Sequence, residues 1–338
     1  MAVSPAKVWA YLCPVWAPLS AGVGLAYLGP DEGRPRAIAV WTVAVAWETL
    51  LAYLMPLAPQ RTFLLGLALL ATPFFLGAEF WALASFAFYI LWVAAVPRLY
   101  AGSLKGSSIP RMRPEHRMAF VTAAYQITPC PAGLDWMAVV CMAFTGALSA
   151  LYGKLAMLTT LDLYLRCGAA GMHLVFALWT VYHMESWRFK LGGMQIGNPF
   201  FDSPWLSLSL RDFWSGRWNG LTHSALKLCV YSPLKKLGLP HAPVVMVVFL
   251  VTASIHIVPV LLAGFGFWEI AVPMIVYFEL HAVLLLSEGF VHPEQWGVVG
   301  TAWVAIALLL PSPLLLAPIF RAAGAPLDCG SLDFLFRC

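Results

Sequence analysis

Apolar residues arrive along this chain in long unbroken runs, not in the alternation of a half-buried strand or the single stripe of a soluble helix. Nine segments approach or reach the length of about 20 mostly apolar residues that a helix needs to cross a bilayer. They are residues 8–28, 37–58, 62–78, 79–97, 134–152, 160–184, 243–264, 267–290 and 296–320. Residues 62–97 form one apolar run interrupted by Pro73, Gly77 and Glu79. That run reads either as two short spans or as one span plus a re-entrant piece. The pattern therefore predicts an all-α polytopic bundle of eight or nine transmembrane spans. The first segment has only Lys7 before it, is broken by Pro14 and Pro18, and lacks a small-residue cleavage site, so it is expected to stay on the protein as a span.

One stretch breaks the pattern. Residues 185–242 are too polar to span and too rich in Trp, Phe and Leu to be a bare loop. Within them GNPFFDSPWL reads as a turn region. From about Ser209 to Lys227 an amphipathic helix at the membrane face is predicted. Leu210, Phe213, Trp214, Trp218, Leu221, Ala225 and Leu228 recur there at three- and four-residue steps. Asp212, Gly216, Asn219 and His223 would form a polar strip along the opposite flank. No repeat, low-complexity tract or linker divides the chain, so residues 1–338 are expected to form one integral membrane domain. It would carry the amphipathic segment 185–242 and a short tail, 322–338.

Composition agrees with the pattern and charge orients it. Hydrophobic residues make up 61% of the 338 and charged residues 11%, against the roughly 25% charge of a soluble domain. Residues 98–117 hold Arg98, Lys105, Arg111, Arg113 and Arg117 against Glu115 alone, and residues 185–242 hold seven Lys and Arg against Glu185, Asp202 and Asp212. Both loops are assigned to the cytosol by the excess of positive charge on that side. Two spans separate them, an even number, so the assignments agree. The net charge of +4 is thus gathered beside spans and reflects topology; no nucleic-acid partner is expected. Seven cysteines show no CxxC pair and no zinc spacing. They are expected to be free, with Cys329 and Cys338 able to pair if the tail is lumenal.

Ionisable side chains inside spans are costly unless they face a cavity or a partner. Here they include Glu48, Glu79, Asp162, His173, His256, Glu269, Glu279, His281 and Glu288. His256 stands near the middle of the 243–264 span, in VVFLVTASIHIVPVLLAG, with no acid in the segment. It is either a core histidine bonded to a backbone carbonyl or a neighbouring Thr, or a neutral imidazole free to accept a proton at pH 7. Position alone does not decide between the two.

RDFWSGRWN, from Arg211 to Asn219, is followed by VYSPLKK, from Val230 to Lys236, and then by His256 in the next span. This ordered set resembles the wax synthase family of plants and their relatives, a branch of the membrane-bound O-acyltransferases. YFELHAVLLLSEG, from Tyr277 to Gly289, extends the resemblance more weakly, matching His281 and Glu288. Those two lie seven residues apart, on one helix face. Before residue 190 the resemblance is one of hydropathy. Where relatives often carry an acid directly after the histidine, this chain has Ile257, and the basic pair before Trp218 is reduced to Gly216 and Arg217.

The resemblance implies that Asn219 and His256 form the reacting centre. Arg217, Trp218, Trp214, Asp212 and His281 become candidate substrate-binding residues. It implies acyl-CoA as co-substrate, a long-chain alcohol as acceptor, a wax ester as product and the endoplasmic reticulum as location. A sterol, terpenoid or diacylglycerol acceptor, or an acetyl donor, would use the same chemistry. The chemistry asks for little. A thioester is already activated and its thiol leaves without a strong acid, whereas the alcohol must lose its proton as it attacks, so one neutral base suffices. A neutral amide can steady the developing oxyanion without adding charge. Arg217 could meet CoA phosphates or anchor to lipid headgroups. His223, His281 and Glu288 have no zinc-motif spacing, so no metal is expected. The chain has no HHxxxDG, GxSxG, P-loop or strand-borne GxGxxG. A transporter or channel lined by Glu48, Glu79, Asp162 and Glu279 would require inverted repeats, and the sequence shows none.

Overall fold

The computed structural model describes residues 15, 19–20, 22–27, 31–123, 127–158, 160–197, 200–262 and 266–322. The expected first span and the expected tail, with Cys329 and Cys338, therefore fall wholly or largely outside the described residues. The helices are α1 (Arg34–Leu54), α2 (Pro59–Gly66), α3 (Trp81–Tyr89), α4 (Val96–Ser103), α5 (Pro114–Ala123), α6 (Trp136–Met157) and α7 (Leu163–Leu191). After them come α8 (Leu210–Asp212), α9 (Gly220–Leu226), α10 (Ser232–Lys236), α11 (His241–Leu262), α12 (Phe267–Val291), α13 (Val298–Leu309) and α14 (Ser312–Ala322). One small antiparallel ribbon, β1 (Ile127–Pro129) with β2 (Met194–Ile196), pairs Thr128 with Gln195.

Among the described residues, six helical stretches are long and apolar enough to cross a membrane: Asp31–Leu54, Leu83–Ser103, Trp136–Met157, His241–Leu261, Phe267–Val291 and Val298–Phe320. The protein is an all-α polytopic membrane protein. Helix α7 is longer than any of the six, but Arg166, His173 and His183 lower its apolarity, and it is not among them. The ambiguous run 62–97 holds one candidate span. Its first part folds as short α2 and a nine-residue 3₁₀ stretch, Leu67–Phe75, that contains Pro73. Proline lacks the N–H that would continue an α-helix there.

The chain forms two compact units. The first comprises residues 1–139, 183–199 and 224–229, and the second residues 140–182, 200–223 and 230–338. In the first, buried arginines act as backbone staples. Pro97 leaves the Val93 carbonyl without its helical donor, and Arg98 Nη1 donates to it at 2.7 Å. Arg117 Nε donates to the Ala52 carbonyl at 2.7 Å. In the second unit, α11 and α12 share a core of Phe249, Ala253 and Ile257 with Met274, Phe278 and Ala282. Residues 249, 253 and 257 are four apart, so one stripe of α11 faces the core.

The predicted amphipathic helix from Ser209 to Lys227 is not continuous. One turn, α8, runs into a π-helical turn, Phe213–Arg217, closed by Trp218 N–H on the Phe213 carbonyl at 2.8 Å. Trp218 is then extended, and Asn219 is left-handed with φ +45°. Only after this break does α9 begin. The segment Phe200–Asp202 holds the break open: Gly220 N–H donates to the Phe200 carbonyl at 3.1 Å and Asp202 N–H to the Arg217 carbonyl at 2.9 Å. Polar positions 212, 216, 219 and 223 consequently do not share one helix line.

Candidate functional site

The short RDFWSGRWN element is anchored by a carboxylate from another helix. Glu288 of α12 is 2% exposed. Its Oε1 accepts from Leu210 N–H at 2.6 Å and from the Trp303 indole at 2.8 Å, and its Oε2 accepts from Arg211 N–H at 3.0 Å. Ser209 Oγ completes the cap by accepting from Asp212 N–H at 3.0 Å. A carboxylate among the first N–H groups of a helical turn is favoured both by its bonds and by the local dipole. Glu288 thus positions the segment through its backbone. The sequence marked Glu288 as an intramembrane acid but gave no sign of this partner.

From that anchor the aromatic side chains reach into the second unit's core. Trp214 packs edge-on to Phe249 of α11 with ring centres 5.9 Å apart, and to His281 of α12 at 5.6 Å; it also meets Phe278 at 6.4 Å. Phe278 in turn lies 4.8 Å from the His256 ring. Trp218 stacks on Phe213 at 5.3 Å and meets Phe201 at 4.8 Å. Residues that are far apart in sequence are joined here by aromatic contacts running from Trp218 through Trp214 and Phe278 to His256.

His256 itself is accessible, although it sits in mid-helix between buried Ala253 and Ile257. Its Nδ1 lies 2.8 Å from the Thr252 carbonyl of the same helix. A carbonyl only accepts, so in the neutral ring Nδ1 carries the proton and Nε2 is left as a bare acceptor. The carbonyl partner considered in the sequence is therefore present, and it leaves the other nitrogen able to act as a base. His281 makes the same bond to the Tyr277 carbonyl at 2.8 Å but is wholly buried. Its Nε2 faces the Ala307 carbonyl without a well-formed hydrogen bond. Pro311, four residues on, has no N–H to give that carbonyl.

Asn219 sits where the helix breaks. Its side-chain Oδ1 accepts from Thr222 N–H at 3.2 Å, which makes it the N-cap of α9. Asn is also the non-glycine residue that best tolerates a left-handed backbone. Asp212 and Arg217 are engaged with each other, Nε to Oδ2 at 2.7 Å, and Arg217 Nη1 donates to the Asp202 carbonyl at 3.2 Å. Of the seven expected site residues, His256 and Trp214 both meet Phe278, and His281 meets Trp214. Trp218 meets Trp214 edge-on at 6.5 Å, Asn219 follows Trp218 in the chain and caps α9, and Asp212 and Arg217 form their own pair. The Trp214 indole N–H is buried with no hydrogen-bond partner among the described residues. No group of three metal-binding side chains occurs among the described residues.

Fold and site together define a multi-pass α-helical membrane protein with an accessible intramembrane histidine beside an aromatic, helix-broken motif. Residues 197–278 match the membrane bound O-acyl transferase family. The match spans well under half of the chain, but it holds the GNPFFDSPWL turn, the RDFWSGRWN motif, Asn219 and His256. It supports the membrane-bound O-acyltransferase superfamily and an acyltransferase activity exercised in lipid. No curated protein matches the chain.

Proposed function

We propose that this protein transfers a fatty acyl group from acyl-CoA to a long-chain alcohol, releasing CoA and a wax ester. The observation that carries the reading is His256: exposed in the candidate span His241–Leu261, with its Nδ1 2.8 Å from the Thr252 carbonyl, which makes Nε2 the acceptor of the neutral ring. In the proposed step Nε2 takes the alcohol proton as the alcohol oxygen bonds to the thioester carbon. The carbon–sulfur bond then breaks, and the proton passes to the departing thiolate. General-base assistance of this kind is worth roughly 10²–10⁴ in rate. The Asn219 amide is assigned to the developing oxyanion.

Acyl-CoA would approach from the cytosolic face under residues 185–242, and the alcohol laterally from lipid. The thioester supplies the activation, so the reading calls for no cofactor beyond acyl-CoA as co-substrate. The endoplasmic reticulum is the proposed location, because long-chain acyl groups and lipid alcohols meet there. The test is mass spectrometry of products after expression in a host lacking neutral-lipid synthesis, with labelled acyl-CoA and a panel of fatty, sterol, terpenoid and diacylglycerol alcohols. Wild type should make wax esters, while His256→Ala should insert normally and make none. Full ester synthesis by His256→Ala would remove the mechanism, and labelling of another alcohol alone would reassign the acceptor.

A further inference from the structure

The first unit carries a groove that the proposed chemistry does not use. It lies between α1 and the 3₁₀ stretch Leu67–Phe75 and measures about 520 Å³, within the range of small-ligand sites. Its long axis follows one face of α1 from Arg36 to Trp47, eleven residues or about 16 Å of helix. Small residues make the channel: Ala39 and Ala44 on α1 and Ala68 opposite leave a gap that larger side chains would close. Trp47 stands at the far end, its indole N–H on the Leu65 carbonyl at 3.4 Å.

The two ends differ in kind. Toward Trp47 the walls are hydrocarbon, and at the other end the groove meets a pair of opposite charges. Arg36 is fixed by a bond from Nη2 to the Phe75 carbonyl at 2.9 Å. Its Nη1 is 3.8 Å from Glu79 Oε1, and both side chains are at least half exposed. At that distance the two charges attract without forming a hydrogen bond, so each keeps capacity for another partner. Arg36 also lies in the first turn of α1, near the start of the candidate span Asp31–Leu54, at the level where headgroups begin.

We propose that this groove holds one acyl chain of a zwitterionic phospholipid, with the headgroup phosphate on Arg36 and its ammonium on Glu79. Charge complementarity selects the occupant. A fatty acid or a purely anionic lipid would place its charge beside the Glu79 carboxylate, and a cationic amphiphile would meet the Arg36 guanidinium. A zwitterion satisfies both, and its chain removes the apolar walls from contact with less ordered lipid.

The full-length protein, reconstituted in bilayer discs of equal parts phosphatidylcholine and phosphatidylglycerol, is stripped in detergent and weighed intact by native mass spectrometry. Wild type should retain one phosphatidylcholine after the annular lipid has gone. Ala39→Trp, at an exposed position on the groove wall, should reduce that retention about tenfold. Arg36→Gln should remove the headgroup preference while the protein keeps its melting temperature. Equal retention by wild type and Ala39→Trp would overturn the proposal, as would preferred retention of phosphatidylglycerol by wild type.

Discussion

Asn219 poses the sharpest question at the scale of single residues, because two different demands fall on one side chain. Its backbone is left-handed at φ +45° and its Oδ1 caps α9 through Thr222, so geometry alone would select Asn here. Glycine meets the backbone demand without strain, and at an N-cap it costs only a few tenths of a kcal/mol relative to Asn. Asn219→Gly is therefore expected to insert and melt like wild type. If the amide also steadies the oxyanion, the same variant should lose about 10²–10³ in kcat, the usual cost of removing such a donor. Asn219→Asp keeps the cap but offers no N–H and adds a charge, and it should be equally slow. Near-wild-type turnover by Asn219→Gly would show that the residue serves the chain's path alone. His256 presents no such overlap, since its structural bond uses Nδ1 and the proposed chemistry uses Nε2.

At the scale of elements, the spans were legible because hydropathy decides them: a run of apolar residues has no aqueous alternative. The break inside RDFWSGRWN was harder to see. Phe213, Trp214, Trp218 and Leu221 recur at helical spacing in the sequence, although the chain passes through a π turn at Phe213–Arg217, an extended Trp218 and a left-handed Asn219 before α9 begins. What opens the helix is Phe200–Asp202, which pairs with Arg217 and Gly220 from elsewhere in the sequence, and periodicity carries no record of a remote partner. Two local signals were present all the same. Asn219–Gly220 is a dipeptide that marks turns, and Ser209-x-x-Asp212 is a helix-start pattern. The clamp by Glu288 depends on a second close approach, where Leu208 and Pro293 meet Gly300 at the start of α13. A methyl on Gly300 would stand 2.5 Å from the Leu208 and Pro293 carbonyl oxygens. Both are backbone atoms, which cannot swing aside. Gly300→Ala should lower the melting temperature measurably and reduce ester synthesis in step with folded protein, because it displaces the loop that leads into α8. Unchanged melting with normal turnover would show that the approach is slack.

Across the whole molecule, His256, Asn219, Trp214, Trp218, His281 and Glu288 all belong to the second unit, while the first pairs a buried apolar core that includes Trp41, Leu51 and Leu99 with buried arginines on backbone carbonyls. The first unit also contains a buried ion pair, Glu185 with Arg188 Nη1 at 2.9 Å. Glu185 is 2% exposed, and burial pushes its carboxyl up to about 7 in spite of the attraction of Arg188. Its folded state thus holds the proton more tightly than the unfolded chain does. Such a group adds stability at low pH, and that stability is lost as pH rises from the ordinary carboxylate range through about 7. Each pH unit over which the two states differ by a proton is worth about 1.4 kcal/mol. The purified protein should therefore melt higher at pH 5.5 than at pH 8. Glu185→Gln keeps the shape and cannot titrate, so its melting temperature should vary less between those pH values. Because Glu185 is not part of the proposed reacting centre, the pH profile of kcat should be the same in wild type and variant when both are assayed well below their melting temperatures. A melting temperature that rises with pH in wild type, or a Glu185→Gln protein with the wild-type slope, would show that the pair is charged in the folded state and stabilises the unit as an ordinary salt bridge.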